Sequence, residues 1–126
     1  MIRASLFVVL ALVCAREDKP LTPVEARKEV GKTITVEMTI NAAKDRLENR
    51  GEIYLDSEED FKNEKNFAVV INKEGAASLK KAGIDDPATH FKSKLIRATG
   101  EVKVVDDVPR IEISEAKQIK LVKDKE

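Results

Sequence analysis

Residues 31–41 read Gly-Lys-Thr-Ile-Thr-Val-Glu-Met-Thr-Ile-Asn. Ile34, Val36, Met38 and Ile40 alternate without a break with Thr33, Thr35, Glu37 and Thr39. Successive side chains of a strand point to opposite faces, so this pattern buries one face and wets the other. Threonine and β-branched residues suit a pleated surface. The spacing predicts a first strand over Lys32–Asn41, entered through Gly31, and the sheet it belongs to must supply a core for its apolar face.

The segment before it divides in two. Met1-Ile2-Arg3 carries a positive charge, Leu6 to Val13 is wholly apolar, and Arg16-Glu17-Asp18-Lys19 is fully charged. A basic start, a short apolar run and a small-residue end are the layout of a secretory signal peptide, here residues 1–15. The run is too short to span a bilayer, which takes about 20 residues. Cleavage after Ala15 removes Cys14, the single cysteine, and leaves no thiol or disulfide chemistry. Acylation of Cys14 as a lipoprotein anchor is the alternative, although Val13 is bulky where that site takes a small residue. The expectation is therefore an exported protein, periplasmic or secreted, with no membrane span after cleavage. A flexible lead over residues 16–21, one domain over 22–122 and a frayed tail over 123–126 complete the organisation.

Within the domain the period of the pattern changes several times. Thr22-Pro23-Val24-Glu25 is a helix start with a capping Thr, a first-turn Pro and a Glu three residues on. The helix it opens runs to Gly31 with Val24 and Val30 toward the core. Ala42 to Arg50 lacks strand alternation and reads as a polar loop with one helical turn. Glu52–Asp56 alternates again, and Ser57–Lys65 is an acidic connection anchored by Phe61. Asn66–Asn72 is almost continuously apolar, the signature of a strand buried on both faces. Lys73–Gly83 takes helical spacing, and Asp86-Pro87 caps a second short helix. Lys94–Val105 is a strand with Gly100 inside it, where a bulge lets a small sheet curl. Asp106–Pro109 forms a turn, Arg110–Ser114 a fifth strand and Ile119–Val122 a short terminal one. Strand, strand, strand, helix, strand, strand is the order of the five-stranded Greek-key barrel known as the OB-fold. The fold class expected is thus all-β with one or two short helices, an open α+β sheet being the alternative.

The same residues resemble a known group. Gly31–Glu37 resembles the opening strand of bacterial OB-fold domains. Ile53–Asp56 with Asn66–Ile71 is similar to the second and third strands of small exported OB-fold proteins. Phe91–Val102 resembles their fourth-strand block, and Arg110–Ile113 with Gln118-Ile119 their closing strand and last turn. The resemblance runs from Thr22 to Val122 and points to a nucleic-acid-binding type of OB-fold, in the group that includes tRNA-anticodon and nuclease-like domains. It implies a ligand face on the second and third strands, where aromatic rings stack on bases.

Charge and chemistry narrow the function. Lys plus Arg and Asp plus Glu are 23 each in 126 residues, and aromatics are 4% with no Trp. A chain that neutralises many phosphates usually shows a basic excess, so any nucleic-acid contact must be local and weak. On the expected face Tyr54 is the stacking ring, with Arg46, Arg50, Lys62 and Lys65 along the backbone of the ligand and Arg97 and Arg110 as a second line. His90, the single histidine, has no Cys or His partner for metal or triad chemistry. Asp56, Glu58, Glu59 and Asp60 lack the glycine and terminal Glu of a calcium loop. Arg50, Asp56 and Arg97 do not stand in nuclease motifs. The expectation is a monomeric, non-catalytic binding module with no cofactor and no metal. Its partner is single-stranded nucleic acid or another extended anionic polymer, or alternatively an envelope protein or peptide. A metal-dependent nuclease is the third reading.

Overall fold

A computed structural model describes residues 19–122. The expected signal peptide, Cys14 and the tail over 123–126 lie outside the described residues. The elements are α1 (Pro23–Ala26), β1 (Thr33–Thr39), β2 (Ala42–Arg46), α2 (Leu47–Arg50), β3 (Glu52–Asp56), β4 (Ala68–Asn72), α3 (Lys73–Lys81), α4 (Pro87–Phe91), β5 (Leu95–Val105) and β6 (Val108–Ile113). A 3-10 turn at Ala116–Gln118 leads into β7 (Ile119–Leu121). The protein is mostly β with a few short helices.

The strands form one hydrogen-bonded path, β1-β5-β6-β4-β3-β2, with β7 on β5. All neighbours are antiparallel except β4 and β6, which run parallel. The two ends of the path, β1 and β2, are consecutive in the chain and separated by Ile40 and Asn41 alone. There the backbone changes partners. The Ile40 N–H donates to the Lys94 carbonyl next to β5, while the Asn41 N–H donates to the Asp56 carbonyl at the end of β3.

Two corrections to the sequence reading follow. The Ala42–Arg50 segment is not a loop throughout: its first five residues are β2, paired from Ala42↔Asp56 to Arg46↔Glu52, and the expected helical turn is α2. With β2, the five strands of the expected barrel and the expected short terminal strand become seven. Gly100 makes no bulge, since β1 and β5 pair in unbroken register from Thr33↔Glu101 to Thr39↔Leu95. Its role is close approach: a Cβ there would meet the Ile111 side chain at 2.6 Å, where β5 passes from β1 to β6.

The apolar faces read from the alternation meet in one core. Val36, Met38 and Ile40 pack with Ile53, Leu55, Phe67, Val69, Ile71, Ile96, Ile111 and Ile113. Leu79 of α3 and Phe91 of α4 pack into this core. β4 is buried on both faces as expected, because Ala68 and Val70 on its far side are also inaccessible. α1 has its capping box, with the Thr22 N–H on Glu25 and the Glu25 N–H on Thr22. The helix is one turn rather than two, and it buries Ala26 while Val24 and Val30 are exposed. Leu21, at the end of the expected lead, bonds the β1 backbone through the Thr35 carbonyl and the Glu37 N–H.

Two glycine-sensitive positions test this packing. In α3, a Cβ on Gly75 would stand 2.1 Å from the Ile113 carbonyl oxygen, and backbone cannot yield as a side-chain tip can. Gly75→Ala is expected to cost about 3 kcal/mol in urea unfolding. Asp106 and Asp107 join β5 to β6 in a two-residue turn, both with positive φ (52° and 66°). That conformation favours Asn and Gly, so Asp107→Gly is expected to stabilise by about 1 kcal/mol in the same assay.

Candidate functional site

The second face of β3 opens on a cleft of about 290 Å³. Strand register explains its composition. Lys44 and Arg46 of β2 stand opposite Tyr54 and Glu52 of β3, and Arg110 of β6 stands opposite Ala68 of β4. Alternation places all of these on the side away from the core. Arg50 from α2, Phe61 from the 57–67 connection, and Val105, Asp106 and Val108 from the β5–β6 turn complete the walls.

Tyr54 is fixed by its neighbours. Its hydroxyl donates to Glu52 Oε1 at 2.6 Å, and the Arg110 guanidinium lies 5.9 Å from the ring centre. Burial first, then the hydrogen bond to Glu52 and its negative charge, holds the phenol above its ordinary pKa. It therefore remains a neutral ring with a tethered edge. Arg110 bridges to Glu52 at 3.4 Å and its side chain is 12% exposed. Its Nε is buried without a hydrogen-bond partner among the described residues.

Asp56 forms the floor and is 4% exposed. Asn66 Nδ2 donates to its Oδ1 at 3.1 Å. Burial raises its pKa, against the opposing influence of that hydrogen bond and of the Lys44 and Arg110 charges. Asn66 is itself a buried hub. It also bonds the Glu58 N–H at 2.9 Å, the Ser57 hydroxyl and the Phe61 carbonyl, and Arg27 donates to its backbone carbonyl. These bonds hold the acidic connection across the end of the cleft. Phe61 does not anchor it: the ring is 45% exposed, with Lys44 Nζ at 5.5 Å and Lys62 Nζ at 5.8 Å from its centre.

Four of the seven expected site residues converge here: Tyr54, Arg46, Arg50 and Arg110. Lys62 reaches the rim through Phe61. Lys65 lies on the connection outside the cleft lining, and Arg97 is on another part of the sheet, bonded to Glu37 at 2.8 Å across β5 and β1. Lys44, Phe61 and the floor carboxylate of Asp56 also line the cleft and do not stand among the expected residues. Lys44 could have been found only by recognising β2, whose register sets it beside Tyr54. The lining holds four cations, with Glu52, Asp56 and Asp106 as its carboxylates. Among the described residues no three His, Cys, Asp or Glu side chains are placed to hold a metal ion.

No protein-family model matches the sequence, and no curated protein matches it. Solved structures do share the fold. A putative aspartyl-tRNA synthetase from Leishmania major Friedlin superposes with a TM-score of 0.55 at 9% identity, over 85% of this chain and 21% of that one. Asparaginyl-tRNA synthetase from Pyrococcus horikoshii gives 0.54 at 12% identity, over 82% of this chain and 23% of that one. The OBody AM1L10, in a structure bound to hen egg-white lysozyme, gives 0.56 at 13% identity over 85% of this chain and 96% of that one. The chain spans about a fifth of the two synthetase chains. At these identities the likeness shows an OB-type fold.

The Asp56 carboxylate makes a pH prediction. Its folded pKa lies above the unfolded one, so its contribution to stability is present in acid and is lost as pH rises through the folded pKa. Asp56→Asn keeps an acceptor for Asn66 and removes the buried charge. The variant is expected to gain stability relative to the parent as pH rises from 3 to 7, measured as the difference in urea midpoints. A difference that does not change with pH contradicts the assignment.

Proposed function

We propose that this chain is a non-catalytic OB-fold binding module that takes single-stranded nucleic acid, or another oligomeric anionic ligand, across the face of β2, β3 and β6. The observation that carries this reading is the cleft itself, in which Tyr54 and Phe61 stand among Lys44, Arg46, Arg50 and Arg110. Aromatic rings take base faces without regard to sequence, and flanking cations take phosphates. Balanced overall charge suits modest affinity that salt weakens quickly. The synthetases that share the fold are named for tRNA, which agrees with a nucleic-acid ligand.

Fluorescence polarisation of labelled oligothymidine at low and moderate salt tests the reading. Binding is expected at low salt, with an affinity that falls steeply as salt rises. Tyr54→Ala is expected to weaken it about tenfold through lost stacking. Absence of binding at low salt, for oligothymidine and for oligodeoxycytidine alike, removes the proposal.

A second reading is a protein or peptide partner on the same face, favoured by the OBody neighbour, whose structure holds a bound protein. Capture of an envelope protein that is lost in Tyr54→Ala and Arg110→Ala, together with a flat oligonucleotide titration, supports it. The proposal also places the domain outside the cytoplasm, with residues 1–15 as an export signal. Intact-mass analysis of the exported protein is then expected to show a chain beginning at Arg16.

A further inference from the structure

Asp56 is an incompletely partnered carboxylate at the bottom of a cleft. Its Oδ1 is engaged by Asn66 at 3.1 Å, and no other hydrogen bond or ion pair to its carboxylate is present among the described residues. Nearby cations do not supply the missing contact. Arg110 is bonded to Glu52, and Lys44 has its ammonium 5.5 Å from the Phe61 ring centre. The second oxygen is not among the buried atoms that lack a partner; it is open on the side of the cleft that the residue lines, where a donor from a ligand can take it. The positive charges of Lys44 and Arg110 oppose a bare metal ion at that point. What fits is an N–H donor on a flat, uncharged group inserted beside Tyr54 and Phe61.

On the nucleic-acid reading given above, we propose that Asp56 makes the cleft selective for bases with an exocyclic amino group, namely cytosine, adenine and guanine, over thymine and uracil. Each of the first three carries an amino donor on an edge. Thymine and uracil have one base-edge donor, N3–H, and it lies between two carbonyl oxygens that a carboxylate repels. The cleft, at about 290 Å³, is at the small end of ligand sites. It holds one base and its sugar, so one nucleotide of the strand is read. Arg46 and Arg50, which line the cleft without a carboxylate in ion-pair range among the described residues, take the phosphates beside it.

The test compares labelled oligodeoxycytidine, oligodeoxyadenosine and oligothymidine of equal length at low salt and neutral pH. Oligodeoxycytidine and oligodeoxyadenosine are expected to bind about tenfold more tightly than oligothymidine. Asp56→Asn is expected to abolish or invert that preference while oligothymidine still binds. Should that variant fail to fold, an oligomer of N4,N4-dimethylcytosine probes the wild-type protein in its place. Lacking the N–H, it is expected to bind as weakly as oligothymidine. Equal affinities for all three oligomers, a preference that survives in Asp56→Asn, or full affinity for the dimethylated oligomer overturns the inference and leaves the nucleic-acid reading standing. Failure of every oligomer to bind removes both.

Discussion

The structure depends on the change of partners at Ile40 and Asn41. Up to Ile40 the chain hydrogen-bonds to the β5 side, and from Asn41 onward to β3. The two N–H groups are one residue apart and serve opposite ends of the strand path. The bend is pinned from both sides: the Ser93 N–H donates to the Ile40 carbonyl, and Asn41 Nδ2 donates to the Ser57 carbonyl at 2.7 Å. Because the ends of the sheet share one covalent ribbon, the sheet must curve. Curvature gathers the apolar faces of β1, β3, β4, β5 and β6 inward and leaves the other face of β3 concave.

That concavity explains why charge is concentrated where the chain as a whole is neutral. Strand register sets Lys44, Arg46 and Arg110 around Tyr54 and Glu52. Glu52 is shared between the Tyr54 hydroxyl and Arg110, which holds the ring and the guanidinium in place. For the binding mode proposed above, a surface ordered in advance loses less entropy on association. Asn66 does the same for the connection above, tying Glu58 and Phe61 to the floor residue Asp56.

Much of the fold is legible in the sequence because its signals are local. The alternation of β1 and β3, the apolar run of β4, and the Thr22 and Asp86 caps each act within a few residues. β2 is illegible for a physical reason. Ala42-Ala43-Lys44-Asp45-Arg46 has two small residues and three charges, and it is a strand through backbone pairing to β3 rather than through burial of its side chains. Phe61 misled because a lone aromatic residue in a polar connection usually turns inward; here it packs between two lysine ammoniums. Tyr54 and Arg110 could be placed by their strands, and Arg46 and Arg50 by the polar segment that leads into β3, whereas the burial of Asp56 depends on a connection that closes over it from ten residues away.

The pairing of Thr33 with Glu101 has a consequence for how the molecule is made. The most strongly patterned strand emerges early, and its neighbour β5 emerges near the end of the described chain. Until then one edge of β1 has nothing to bond, and Leu21 can cover only the other. Topologies built from such distant partners fold slowly, and unpaired strand edges associate with one another while they wait. The alternating segment that organises the native sheet is therefore also a stretch whose free edge stays open to other strands until its late partner arrives.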